Sequence, residues 1–117
     1  MNNRHFTRVN YNVGASLSFG NEVLFCNTDN VSLRGLFLKT DHEIPLNIPV
    51  HVTVYKSNQE SLRVNAHVVR KDATGVGLKI SYLDVNSFVQ LRKIITECTN
   101  DPGAITQETF KMLKCIH

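Results

Sequence analysis

The chain has 117 residues, enough for one domain with its own core and too few for two of ordinary size. Thirteen Lys and Arg against ten Asp and Glu leave a formal charge of +3, too small for a protein that holds nucleic-acid polymers by charge alone. No apolar run approaches the ~18 residues of a membrane span, and Met1-Asn2-Asn3-Arg4-His5 leads into polar sequence without an apolar signal region, so a cytoplasmic protein that does not insert into membranes is expected.

In chain order, the first feature is the segment Arg4-His5-Phe6-Thr7-Arg8, with two arginines four apart. Taken alone, such arginines simply meet water. Residues 15–19 and 22–28 read as two short strands joined by a turn at Gly20-Asn21. Asn30-Val31-Ser32-Leu33-Arg34-Gly35 is a polar cluster between apolar stretches. By itself it is ordinary turn chemistry, in which Asn30 or Ser32 bonds nearby backbone.

Residues 36–40 form a third candidate strand, and residues 50–54 and 62–68 alternate apolar and polar with period two. Between the last two, Ser57-Asn58-Gln59-Glu60 suits a hairpin loop. After the turn signal Asp72-Ala73-Thr74-Gly75, Val76, Leu78 and Ile80 alternate again. Six short strands without interleaved helices predict an all-β fold, a six-stranded antiparallel sandwich or barrel. A barrel is favoured because closure removes exposed strand edges.

The period then changes. From Asp84 as N-cap, Val85, Phe88, Leu91, Ile95 and Cys98 recur at three- and four-residue spacing and form one helical face. Asn100-Asp101-Pro102-Gly103 stops that helix. A shorter one follows, with Ile105, Thr109, Met112, Leu113 and Ile116 on one side. Both are expected to pack at the end of the barrel, the alternative for the last segment being a partner or dimer surface. The expected organisation is one unit: residues 1–98 as barrel, N-terminal arm and covering helix, and residues 99–117 as a helical extension.

Cys26, Cys98 and Cys115 lack a C-x-x-C pair and are expected as free thiols, with Cys98 and Cys115 on the apolar helix faces as small hydrophobes. His5, His42, His51, His67 and His117 show no metal-ligand spacing. His51 and His67 fall on polar faces of adjacent strands and are expected as exposed cross-strand neighbours. Without a Ser/His/Asp or Cys/His constellation, paired apolar carboxylates or a Gly-rich phosphate loop, neither catalysis nor a cofactor is expected.

Taken together, R-x-x-x-R at Arg4 and Arg8 and [DN]-x-S-x-x-G at Asn30, Ser32 and Gly35 resemble the paired signature of PilZ domains. The likeness runs on through Gly35-Leu36-Phe37-Leu38, through Val68-Val69-Arg70 leading to Gly75-Val76-Gly77-Leu78, and through the helix after Asp84, covering residues 4 to 98. It implies a bacterial cyclic di-GMP receptor with Arg4, Arg8, Asn30, Ser32 and Gly35 at the site. Asn30 stands where the family takes aspartate or asparagine. It also implies an arm that is free until ligand closes it on the barrel, and a downstream protein partner whose identity, like the choice of monomer or dimer, lies outside the sequence. The other reading is a PilZ-like protein-interaction module that does not bind the nucleotide. Chemistry supports the ligand: arginine pairs bidentately with phosphate or the guanine edge and stacks on the purine face. Asn30 and Ser32 offer neutral hydrogen-bonding groups, and Gly35 allows close approach. A role in binding single-stranded nucleic acid lacks the aromatic platform it needs, since the chain has no tryptophan.

Overall fold

The computed structural model describes residues 6–57 and 59–117, so Arg4 and His5 of the arm and Asn58 of the hairpin loop lie outside it. Seven strands run β1 Val9–Asn10, β2 Gly14–Phe19, β3 Glu22–Val31, β4 Gly35–Lys39, β5 Pro49–Tyr55, β6 Ser61–Lys71 and β7 Gly75–Tyr82. They are followed by α1 Val85–Cys98, α2 Pro102–Lys111 and a 3₁₀ turn at Leu113–Cys115. The six expected strands form. The main additions are the short β1 and three further residues at the end of each of β3 and β6.

Neighbours run β3-β2-β5-β6-β7-β4, and β4 pairs back onto β3, so six antiparallel strands close into a barrel. Closure leaves these strands without an open edge. β1 adds to β3 beyond the end of β2, pairing Val9 with Val31 and Asn10 with Asn30. This brings the chain just after the arm beside the second polar motif.

Alternation decides the interior. Ala15 and Leu17 of β2, Val50, Val52 and Val54 of β5, and Leu62, Val64, Ala66 and Val68 of β6 all point inward and are buried. β4 departs from alternation: Gly35, Leu36, Phe37 and Leu38 are all buried, so both its faces are covered. On its outer face the Arg70 guanidinium lies over the Phe37 ring, 5.3 Å from the centroid. Thr28, fully buried, donates its hydroxyl to Tyr11 O and accepts from Val13 N at 2.9 Å, fastening the β1–β2 connection to β3.

Two interruptions re-aim strands near one another. The β3–β4 register shifts between Thr28 and Asn30, leaving Asp29 as a bulge, and the β6–β7 register shifts between Val68 and Arg70, leaving Val69 unpaired. The expected pairing of His51 and His67 is corrected by the register: His51 faces Asn65 and Pro49 faces His67, so the two histidines are diagonal. The His67 ring instead meets Ser81 Oγ at 3.0 Å.

Asp84 caps α1 as expected, accepting from Ser87 N at 2.6 Å, while the Ser87 hydroxyl accepts from Arg63 N and ties the helix to β6. The buried stripe of α1 is Phe88, Leu91, Ile94 and Ile95; Val85 and Cys98, expected on it, are exposed. The stripe spans only the middle of α1, so the periodic positions at its two ends run out over solvent. Pro102, read as part of a stop signal, also opens α2 at its first turn, where a missing N–H costs nothing. Ile105 and Met112 of the second helical segment are buried as expected, but Leu113 is exposed because the chain tightens into the 3₁₀ turn. The last residues return to the barrel: Leu83 N donates to Cys115 O at 3.0 Å, and His117 N donates to Leu83 O at 2.9 Å.

Candidate functional site

A cleft of about 960 Å³ opens on the outer face of β4 and β7. It is lined by the end of the arm (Phe6, Arg8), the second motif (Asn30, Ser32, Arg34, Gly35), Phe37, the bulged stretch Val69-Arg70 and Gly77 to Lys79. β1 delivers Arg8 here, since its pairing to the end of β3 leaves Arg8 beside Asn30. Arg8 Nη1 donates to Asn30 Oδ1 at 2.5 Å, and Asn30 Nδ2 in turn donates to Asp29 Oδ2 at 3.0 Å. The bulge at Asp29 makes this relay possible by turning two successive side chains toward the same edge.

Gly35 and Ser32 act differently. A Cβ at Gly35 would stand 2.5 Å from Leu78 O and 3.5 Å from Arg8 Nη2. The missing side chain therefore lets β4 approach β7 and leaves Arg8 its path. Ser32 is buried, and its hydroxyl accepts from Gly35 N at 3.0 Å and Arg34 N at 3.2 Å while facing Gly35 O at 3.1 Å. It folds the motif into a tight turn, and in this conformation its hydroxyl is directed into that turn. Arg34 does not lie free in solvent: it is half-buried, and its Nη1 donates to Cys115 Sγ at 3.2 Å. Of the five residues expected at the site, four therefore meet around this cleft; Arg4 lies outside the described residues.

The sequence reading missed Phe37, Arg70 and Lys79. Arg70 follows an alternating strand and would be read as one more solvated charge; only the Val69 bulge turns it across Gly77 and Phe37. A Cβ at Gly77 would lie 3.4 Å from Arg70 Cβ and 3.8 Å from the Phe37 ring, so the bare backbone there makes room for the stack. Among the described residues, the cleft lining thus holds Arg8, Arg34, Arg70 and Lys79 and no acidic residue. Clustered positive charge beside a flat aromatic ring suits an anionic ligand with planar rings.

The arm is held from the other side as well. Thr7 N donates to Glu108 Oε1 at 2.8 Å and Thr7 Oγ1 to Glu108 Oε2 at 2.6 Å. Lys111 Nζ lies 5.6 Å from the centroid of Phe6. Among the described residues no cluster of three His, Cys, Asp or Glu could hold a metal, and no helix is long and apolar enough to cross a membrane.

Comparison with known proteins agrees with this architecture. The family model described as "PilZ domain" matches residues 2–97. No curated protein sequence matches the chain. Among solved structures, the inhibitor of motility MotI/DgrA of Bacillus subtilis aligns with TM-score 0.70 at 12% identity, over 83% of this chain and 51% of that one. The chain thus spans about half the length of that protein. The PilZ domain of YcgR from Escherichia coli, solved with c-di-GMP, aligns with TM-score 0.68 at 12% identity, over 83% of this chain and 92% of that one. The PilZ domain of CeSA from a cellulose-synthesizing bacterium gives TM-score 0.61 at 14% identity, over 78% and 96%.

Proposed function

This chain belongs to the PilZ domain family, and from that premise we propose that it is a cyclic di-GMP receptor that signals to a partner protein without catalysing a reaction. One observation carries the reading: Arg8 and Asn30, from the two separate motifs, meet at a cleft lined, among the described residues, by four cationic side chains and no acid. The YcgR PilZ domain that shares the fold was solved with this nucleotide.

In this reading, Arg8, held beside Asn30 at the cleft, meets a phosphate or a guanine edge of the ligand. Arg4 supplies the second arginine contact. Arg70 and Phe37 extend the site with a stacked pair on which a purine can lie. Gly35 and Ser32 serve by shaping the turn that keeps the cleft open. Ligand bridging Arg4 and Arg8 to the barrel completes the closure of the arm, and the combined surface is what the partner reads. Ordering a residue costs about 1–2 kcal/mol, so anchoring of Phe6 and Thr7 on α2 before binding lowers the cost of closure. In this reading the receptor works in the cytoplasm of a bacterium.

The test is a calorimetric titration of cyclic di-GMP into the protein, with GTP and the linear dinucleotide as controls. Saturable binding at micromolar affinity or tighter, selective for the cyclic ligand, is expected. Absence of heat and of thermal shift would leave a PilZ-like protein-interaction module as the function.

A further inference from the structure

We propose that Glu108 is a positioning residue of the ligand cleft: through its hold on Thr7, helix α2 sets where Arg8 stands. The effect on ligand affinity rests on the receptor reading above; the effect on the arm does not.

Glu108 is 6% exposed and occupies the C-terminal half of α2. A polar carboxyl group buried there costs free energy unless its oxygens are hydrogen-bonded. A carboxylate in that place needs donors, and Thr7 supplies two, its amide at 2.8 Å and its hydroxyl at 2.6 Å. Both distances are those of well-formed hydrogen bonds. One turn later on the same helix face, Lys111 covers the Phe6 ring at 5.6 Å. Two successive arm residues are therefore gripped by two residues one turn apart.

The support is stiff. α2 sinks Ile105 into the core, and the chain just after it sinks Met112; Arg92 Nε of α1 donates to Thr109 Oγ1 at 3.1 Å. With both backbone and side chain of Thr7 fixed, the next residue leaves α2 in one direction, and that direction carries the Arg8 guanidinium to Asn30. The following 3₁₀ turn reaches the second motif too, through Cys115 Sγ and Arg34. The C-terminal segment, which lies beyond the stretch matched by the family model, thus touches both motifs.

The experiment compares Glu108→Ala, Glu108→Gln and Thr7→Val with the parent protein by two readouts. Glutamine can still accept from the Thr7 amide and donate to its hydroxyl, so it is the rescuing variant. Without ligand, amide exchange at Thr7 should accelerate at least about tenfold in Glu108→Ala, and the side-chain amide resonances of Asn30 should move. Both should stay near parental in Glu108→Gln. With cyclic di-GMP, Glu108→Ala and Thr7→Val should each bind about tenfold more weakly, and the double variant no more weakly than Glu108→Ala alone. Unchanged Thr7 exchange and Asn30 resonances in Glu108→Ala would overturn the proposal, whether or not the protein binds ligand. So would parental affinity in Thr7→Val at an unaltered melting temperature. If the parent binds no cyclic di-GMP, the receptor reading falls while the exchange data still decide the role of Glu108.

Discussion

Arg8 and Asn30, 22 residues apart in the chain, are joined by a 2.5 Å bond from Nη1 to Oδ1. The contact fixes one end of the arm to the rim of the barrel. It also links the two motifs into one site before any ligand is considered.

Arg8→Ala is therefore expected to weaken cyclic di-GMP binding about 10- to 100-fold, the effect of losing hydrogen bonds to a charged group. Because Arg8 is exposed, the stability of the free protein should stay within about 0.5 kcal/mol. Arg8→Lys should recover only part of the affinity, since lysine lacks the planar fork. Calorimetry beside thermal melts checks both; equal affinity of Arg8→Ala and parent would remove Arg8 from the site.

Two glycines should respond in opposite ways to the same substitution. Gly35→Ala places a Cβ 2.5 Å from Leu78 O, so β4 and β7 must part at about 1–3 kcal/mol, and ligand affinity should fall with stability. Gly14→Ala meets nothing within 4 Å and should be neutral or stabilising by about 0.4–1 kcal/mol through the unfolded state. Denaturant melts of the pair decide it. A neutral Gly35→Ala would mean that the strands have slack the packing does not indicate.

Asp72 predicts a pH dependence. Its Oδ1 accepts from Thr74 N at 2.8 Å, Thr74 Oγ1 at 2.9 Å and Gly75 N at 3.1 Å in the β6–β7 turn. The Thr74 amide first, then the Thr74 hydroxyl, with Gly75 N and Arg70 adding to them, hold its pKa below the usual carboxylate value. A lowered folded pKa contributes stability above the unfolded pKa and loses it as pH falls through the folded one. The melting-temperature gap between the parent and Asp72→Ala should thus be flat from neutral pH to about 5 and close below about 4. A gap that persists undiminished in stronger acid would show that the turn owes nothing to the ionised carboxylate.

The three thiols should separate by reactivity. Cys98 is exposed and Cys115 buried, while burial pushes the half-buried Cys26 up to about 11. At pH 8 only about a thousandth of Cys26 is thiolate, and the thiolate is the nucleophile. A water-soluble maleimide should label one thiol quickly in the folded protein and the other two only on unfolding. Labelling in Cys98→Ser checks the assignment: rapid modification that survives this change would place the accessible thiol elsewhere.

Local pattern by itself determined the six barrel strands, but not β1, together with the α1 cap and the class of fold, because a half-buried strand must alternate and a covering helix must repeat its apolar face. The resemblance carried by the two motifs pointed to the family and named Arg4, Arg8, Asn30, Ser32 and Gly35. What those residues do was divided by tertiary structure: Asn30 meets Arg8 openly, whereas Ser32 turns inward to close its own loop. Arg70 was beyond local reading because a one-residue bulge at Val69 decides which face it joins. Glu108 was further still, 101 positions from the Thr7 it holds. No local pattern encodes such a pair; it exists only once the barrel has closed and α2 has settled against its end.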